Sequence, residues 1–146
     1  MSTADAVKAH TYTLFSTENP VNTIYVQRCP NLDSMVALFL LTRTPEGRKI
    51  YPGVESAKIE FWGTGTISGD GKTWRDYEKD GAILVGVGGG PFDEHPSEDF
   101  GDRKAEKASA TLLVAKGLRI HKKPLYSKLV KTITKHDLEL ATSHTE

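Results

Sequence analysis

The chain has 146 residues, enough for one ordinary hydrophobic core and too few for two. Hydrophobic residues make up 38% and charged residues 26%, which excludes a wholly disordered chain, and the longest apolar run, Met35 to Leu41, excludes a membrane span. Formal charge is balanced but unevenly placed: residues 1–102 carry a net −6, residues 103–135 a net +9, and residues 136–146 a net −3.

Residues 1–21 read as an irregular lead-in, with Tyr12 to Phe15 as a short strand. Met1 to His10 lacks the apolar stretch of a secretory signal. Thr23 to Val26 is β-branched and aromatic and predicts the first strand. Cys29-Pro30-Asn31 turns the chain, and Asp33 stands at the N-cap of a buried helix, Ser34 to Arg43, which Pro45 stops. A strand leading straight into a buried helix is the first half of a βαβ unit.

Lys58 to Trp62 alternates and predicts a second strand; residues 63–81, rich in glycine, predict a long surface loop. Ala82 to Val85 is a continuous apolar run, as in a strand covered on both faces, and runs into Gly86-Val87-Gly88-Gly89-Gly90-Pro91. Two helices close the chain. Lys104 to Lys116 carries Ala108, Leu112 and Ala115 on one face, with Gly117 at C′. The second starts near Pro124 and bears the stripe Tyr126, Val130, Ile133 and Leu140. Asp137 falls on that stripe, where a carboxylate needs a partner or a wet cavity. These elements predict one α/β domain over residues 22–140, with a mainly parallel sheet, helices on both faces and a tail at 141–146.

Two phosphate-binding motifs fail on spacing. Gly65 and Gly71-Lys72-Thr73 are separated by five residues where a P-loop needs four. The glycines at 86–90 lack the third glycine of a dinucleotide fingerprint, since position 91 is proline. Gly88, Gly89 and Gly90 still leave the backbone bare, so that a ligand or another chain segment can come close. Asp93-Glu94-His95 follows a buried strand, where α/β sheets build their sites, and offers metal ligands or acid–base groups. Asp33 lies beyond the end of the first strand and is placed to meet them. Such a set suits Mn²⁺ or Mg²⁺, although an acidic surface turn needs no ion. Cys29 is the lone cysteine and has no neighbouring base pattern, so it is read as a buried structural thiol in a reducing, cytoplasmic setting.

In order and spacing, these stretches resemble the DHH phosphoesterase superfamily. Its first motif is matched by Gln27-Arg28-Cys29-Pro30-Asn31-Leu32-Asp33-Ser34-Met35-Val36-Ala37. Its second and third are matched by Val85-Gly86-Val87-Gly88-Gly89-Gly90-Pro91-Phe92-Asp93-Glu94-His95, and its following small-residue helix by Ala108-Ser109-Ala110-Thr111-Leu112-Leu113. The resemblance implies a two-metal site of which one half is missing, with Gln27, Asn31 and Gly86 at the ligand positions of the first metal. It implies that Asp33, Glu94 and Asp137 keep the second, so one divalent cation, Mn²⁺ or Mg²⁺, or none. It assigns His95 to the phosphate, with Asp93 beside it as the other catalytic candidate, and Asn31 with Gly88, Gly89 and Gly90 to substrate binding. The family's second domain has no room in 146 residues.

Two functions follow from the resemblance. One is hydrolysis of a phosphoester or phosphoanhydride, in a small molecule or short oligonucleotide, by water that a divalent ion activates. The other is a non-catalytic homologue that uses the same cleft to bind a nucleotide, a nucleic acid or a protein partner. Lys128, Lys131 and Lys135 share one helix face; the plain reading is a solvated face, the alternative a contact with a nucleic-acid backbone.

Overall fold

The structure is a computed structural model that describes residues 15–62, 71–103 and 106–143. It is a small α/β domain. Strand β1 (Thr23–Gln27) leads into α1 (Leu32–Arg43) and α2 (Pro45–Ile50). A 3₁₀ turn at Val54–Ser56 precedes β2 (Lys58–Trp62), and α3 (Trp74–Lys79) precedes β3 (Ala82–Val85). Helices α4 (Ala110–Gly117) and α5 (Pro124–Ser143) follow. The three strands are parallel in the order β2-β1-β3, with Ile24 opposite both Ile59 and Ile83.

Strand alternation sorts the core into two layers. Ile24, Val26, Ile83 and Val85 face one way and are buried with Leu40 and Leu41 of α1, Val114 of α4 and Val130 of α5. Tyr25 and Leu84 face the other way, with Trp62, Trp74 and Tyr77. There the Tyr25, Trp62 and Tyr77 rings meet edge to face, with centroids 5.1–5.5 Å apart. Helices therefore cover both faces, α1, α4 and α5 on one and α3 on the other.

Several predicted boundaries shift, each for a local reason. Helix α1 starts two residues earlier because Asn31, not Asp33, is its N-cap; the Asn31 side-chain oxygen accepts the Ser34 N–H at 2.9 Å. Pro45 ends α1 and also opens α2, where Thr44 caps by accepting the Gly47 N–H at 3.0 Å. The predicted loop at 63–81 contains α3, whose start is a reciprocal cap: Asp76 accepts the Thr73 N–H at 2.9 Å. Residues 63–70 lie outside the described residues.

The helix predicted over Lys104–Lys116 begins only at Ala110, capped by Ser109, and Lys107 adopts a left-handed φ of 59° that no helix tolerates. Its left-handed C-terminal residue is Arg119, while Gly117 remains helical. Helix α5 runs to Ser143, through the start of the expected tail. Leu140 of its predicted stripe is 43% exposed. The strand expected at Tyr12 to Phe15 falls largely outside the described residues; Phe15 is not in a strand and packs its ring edge-on against Tyr51 at 5.8 Å. Cys29, expected to be buried, is exposed, because the turn after β1 leaves the core before it. Among the described residues no helix is long and apolar enough to cross a membrane.

Helix α3 buries a carboxyl group. Glu78 is 3% exposed, and burial pushes its pKa up to about 8 against the pull of Arg75. The folded chain thus holds a proton that the unfolded chain releases near pH 4.5. Glu78 costs no stability below that pH, an increasing amount up to about pH 8, and a constant amount above it. Urea denaturation across this window should show stability falling by up to about 1.4 kcal/mol per pH unit, and Glu78→Gln should flatten that slope.

Candidate functional site

Strand β1 has β2 on one side and β3 on the other: the chain leaves β1 toward β2 and then returns past β1 to β3, so the winding reverses at β1. Such a switch point opens a crevice beyond the strand ends. The α1 start, with Asn31, Asp33 and Ser34, enters it from β1; the loop Gly86 to His95 enters it from β3.

Asp33 is 2% exposed in the first turn of α1. Its two carboxylate oxygens accept the Ala110 and Thr111 N–H groups at 2.9 Å each, so it neutralises the open amides at the start of α4. The Thr111 hydroxyl donates to the Asp33 carbonyl at 2.9 Å and closes the clasp. Ser109 Oγ and Thr134 Oγ1, 2.7 Å apart, tie the same helix start to α5, one turn before Asp137.

The loop after β3 is folded on itself. Gly86 N–H donates to the Phe92 carbonyl at 2.9 Å, and Asp93, fully buried, accepts the Gly89 N–H at 2.8 Å and the His95 N–H at 3.0 Å. His95 Nδ1 lies 2.6 Å from Asp93 Oδ1, where an Nδ1–H donates to the carboxylate, and Nε2 lies 3.9 Å from Glu94 Oε1. Arg103, a residue the sequence reading did not single out, is 2% exposed and donates to the carbonyls of Gly90, Pro91 and Asp93. Its guanidinium stacks on the Phe100 ring, with 4.0 Å between the guanidinium carbon and the ring centroid. Burial lowers its pKa while the nearby Asp93 supports its charge.

These two constructions bring Asp33, Glu94 and Asp137 together: one oxygen from each lies within 4.8 Å of the others. Glu94 also belongs to a second cluster, with Asp93 and His95. Glu94 is 5% exposed, and its Oε2 has no hydrogen-bond partner. Burial raises its pKa to about 7, His95 opposes the shift, and Asp33 and Asp93 add to it. Two full negative charges at 4.8 Å repel by about 3.5 kcal/mol at an effective dielectric near 20, so an all-carboxylate cluster calls for a cation or a proton. Three hard oxygen donors and an unsatisfied buried oxygen fit Mg²⁺, Mn²⁺ or Ca²⁺.

Other predicted site residues take different places. The Asn31 amide oxygen is occupied as the α1 cap, and Gln27 ends β1. Gly86 has a left-handed φ of 71°, and a side-chain carbon there would sit 3.5 Å from Ser34 Oγ and 3.8 Å from Glu94 Oε2. The missing side chain thus leaves space beside Ser34, a buried hydroxyl that the sequence reading passed over. The bare backbone of Gly88 and Gly90 admits other parts of the chain: added carbons would meet Leu84 at 2.5 Å and Trp74 at 3.1 Å. Lys128, Lys131 and Lys135 are all exposed on α5, and Lys135 lies 3.9 Å from Glu139.

No family description, curated protein or solved structure matches the chain.

The Asp33 clasp is a folding contact whatever the site binds. Asp33→Ala removes the acceptor of two buried amides and should cost on the order of 3 kcal/mol in urea denaturation with EDTA present, with an unchanged denaturant slope.

Proposed function

We propose that this chain is a DHH-like phosphoesterase domain reduced to one cation site, which binds a phosphate-bearing ligand at the crevice between β1 and β3. The observation that carries the reading is the convergence of Asp33, Glu94 and Asp137 within 4.8 Å, with Glu94 Oε2 buried and unpartnered. A Mn²⁺ or Mg²⁺ ion held there would supply positive charge to draw and neutralise phosphoryl oxygens.

The protein's own groups supply the rest. Asp93 holds His95 by its Nδ1 side, so the ring keeps one orientation, with Nε2 3.9 Å from Glu94 Oε1. Arg103 and Asp93 hold the loop rigid around Glu94. At the positions of the family's other metal stand Gln27, Asn31 and Gly86, which bring no negative charge, and two cations roughly 3.5–4 Å apart need bridging negative charge. Binding is therefore the primary activity in this reading. One observation favours turnover as the second reading: an Asp–His pair beside a buried carboxylate, with His95 Nε2 3.9 Å from Glu94 Oε1, can accept or donate a proton.

Calorimetric titration with Mn²⁺ should give one site per chain, abolished by Glu94→Gln; two ions per chain, or none, would overturn the reading. A panel of phosphodiesters, pyrophosphate and short oligonucleotides with Mn²⁺ separates the two readings. Turnover lost in His95→Ala with Mn²⁺ binding retained establishes hydrolysis, whereas ligand binding without turnover establishes the binding domain.

A further inference from the structure

The two edges of the sheet differ. Beyond β3 the chain folds back on its own edge: Val85 bridges to Phe92, and all four β3 residues are buried. On the outer side of β2, nothing pairs among the described residues. One bond fixes which groups that edge leaves open. Lys58 N–H donates to the Asn22 carbonyl at 2.9 Å, so Lys58 turns its backbone toward β1. Alternation then turns the N–H and C=O groups of Ile59 and Phe61 outward, and the trans peptide before Lys58 turns the Ala57 carbonyl outward as well. The Ile59 and Phe61 side chains are 38% and 60% exposed. An open edge with apolar side chains is a template for a further strand.

We propose that this strand is β2 of a second copy of the chain, paired antiparallel across a two-fold axis at Ile59, so that two sheets join into one of six strands. Charge selects the copy and the register. An axis at Lys58 or Glu60 would set like charges opposite each other, and an axis at Phe61 would set Glu60 against the partner's Trp62. The axis at Ile59 sets Lys58 against the partner's Glu60, and Glu60 against the partner's Lys58. Within the chain Lys58 Nζ lies 2.7 Å from Glu60 Oε1, with side chains 75% and 39% exposed, so the four charges close into an alternating ring. The same register matches the open backbone groups. Ile59 exchanges both its bonds with the partner's Ile59, and Phe61 N–H meets the partner's Ala57 carbonyl. The Ala57 N–H is already given to the Val54 carbonyl at 3.2 Å and is not needed. The pairing does not depend on what the crevice binds.

Sedimentation velocity of the full chain in EDTA tests this. It should show a monomer–dimer equilibrium with a Kd of about 10–100 μM, the strength of a small edge interface. Lys58→Glu and Glu60→Lys should each weaken association about tenfold, because like charges then face each other across the axis. An equimolar mixture of the two variants should associate as the unsubstituted chain does, since opposite charges meet again. Hydrogen exchange over a concentration series supplies a readout that needs no variant. The Ile59 and Phe61 amides should slow as the dimer fills, while those of Lys58 and Glu60, turned toward β1, do not change. A chain that stays monomeric to about 1 mM would overturn the proposal. So would a dimer in which the Ile59 and Phe61 amides exchange as in the monomer, or a mixture that associates no better than either variant alone.

Discussion

The clasp between Asp33 and the start of α4 organises this molecule. A carboxylate from the first turn of one helix closes the first amides of another, across 77 positions of sequence. A helix start carries partial positive charge, and burying it unpaired is costly. Asp33 removes that cost and fixes where α4 begins. Ser109, the N-cap of α4, passes the constraint to Thr134 on α5, and so sets where Asp137 lies. The acidic cluster at the crevice is therefore a product of helix capping: the residue that locks the helical layer is also a corner of the candidate site.

A second buried charge does comparable work on the other side of the crevice. Arg103 turns its Nη1 toward a loop that has few side chains of its own and donates to the carbonyls of Gly90, Pro91 and Asp93, which glycine-rich backbone would otherwise leave bare. Asp93 supplies the matching negative charge and binds both the loop backbone and His95. Neither residue meets its partners through local sequence. Together they make the loop a rigid platform, which explains how Glu94 can be held in a place that raises its pKa.

The two faces of the sheet divide the labour. The aliphatic face under α1, α4 and α5 leads to the crevice, and every clustered carboxylate stands on that side's elements or on the loop after β3. The aromatic face, with Tyr25, Trp62, Trp74 and Tyr77, holds α3. The bond from Trp74 Nε1 to Asp99 at 2.8 Å pins the segment that follows the site loop. On β2, Ile59 and Phe61 share the aliphatic face by register yet remain 38% and 60% exposed, because the helical layer is centred over β1 and β3.

The sequence by itself determined the strands and the order of the motifs. Thr23 to Val26, Lys58 to Trp62 and Ala82 to Val85 are short runs whose alternation or continuous apolarity leaves one conformation open to them, and all three stand as strands. It also named Asp33, Glu94 and Asp137 as residues that belong together, through a resemblance in motif order; what they bind is a separate matter. Helix starts were less legible. A cap is decided by which side chain reaches which amide, and Asn31, Thr44 and Thr73 compete with neighbours of the same type. Only the tertiary structure decided that Asp33 serves a helix 77 positions away, that α4 waits until Ala110, and that Arg103 is buried in the loop beside the site. Each of these depends on a charge meeting its partner through space, and neither periodicity nor composition carries that information.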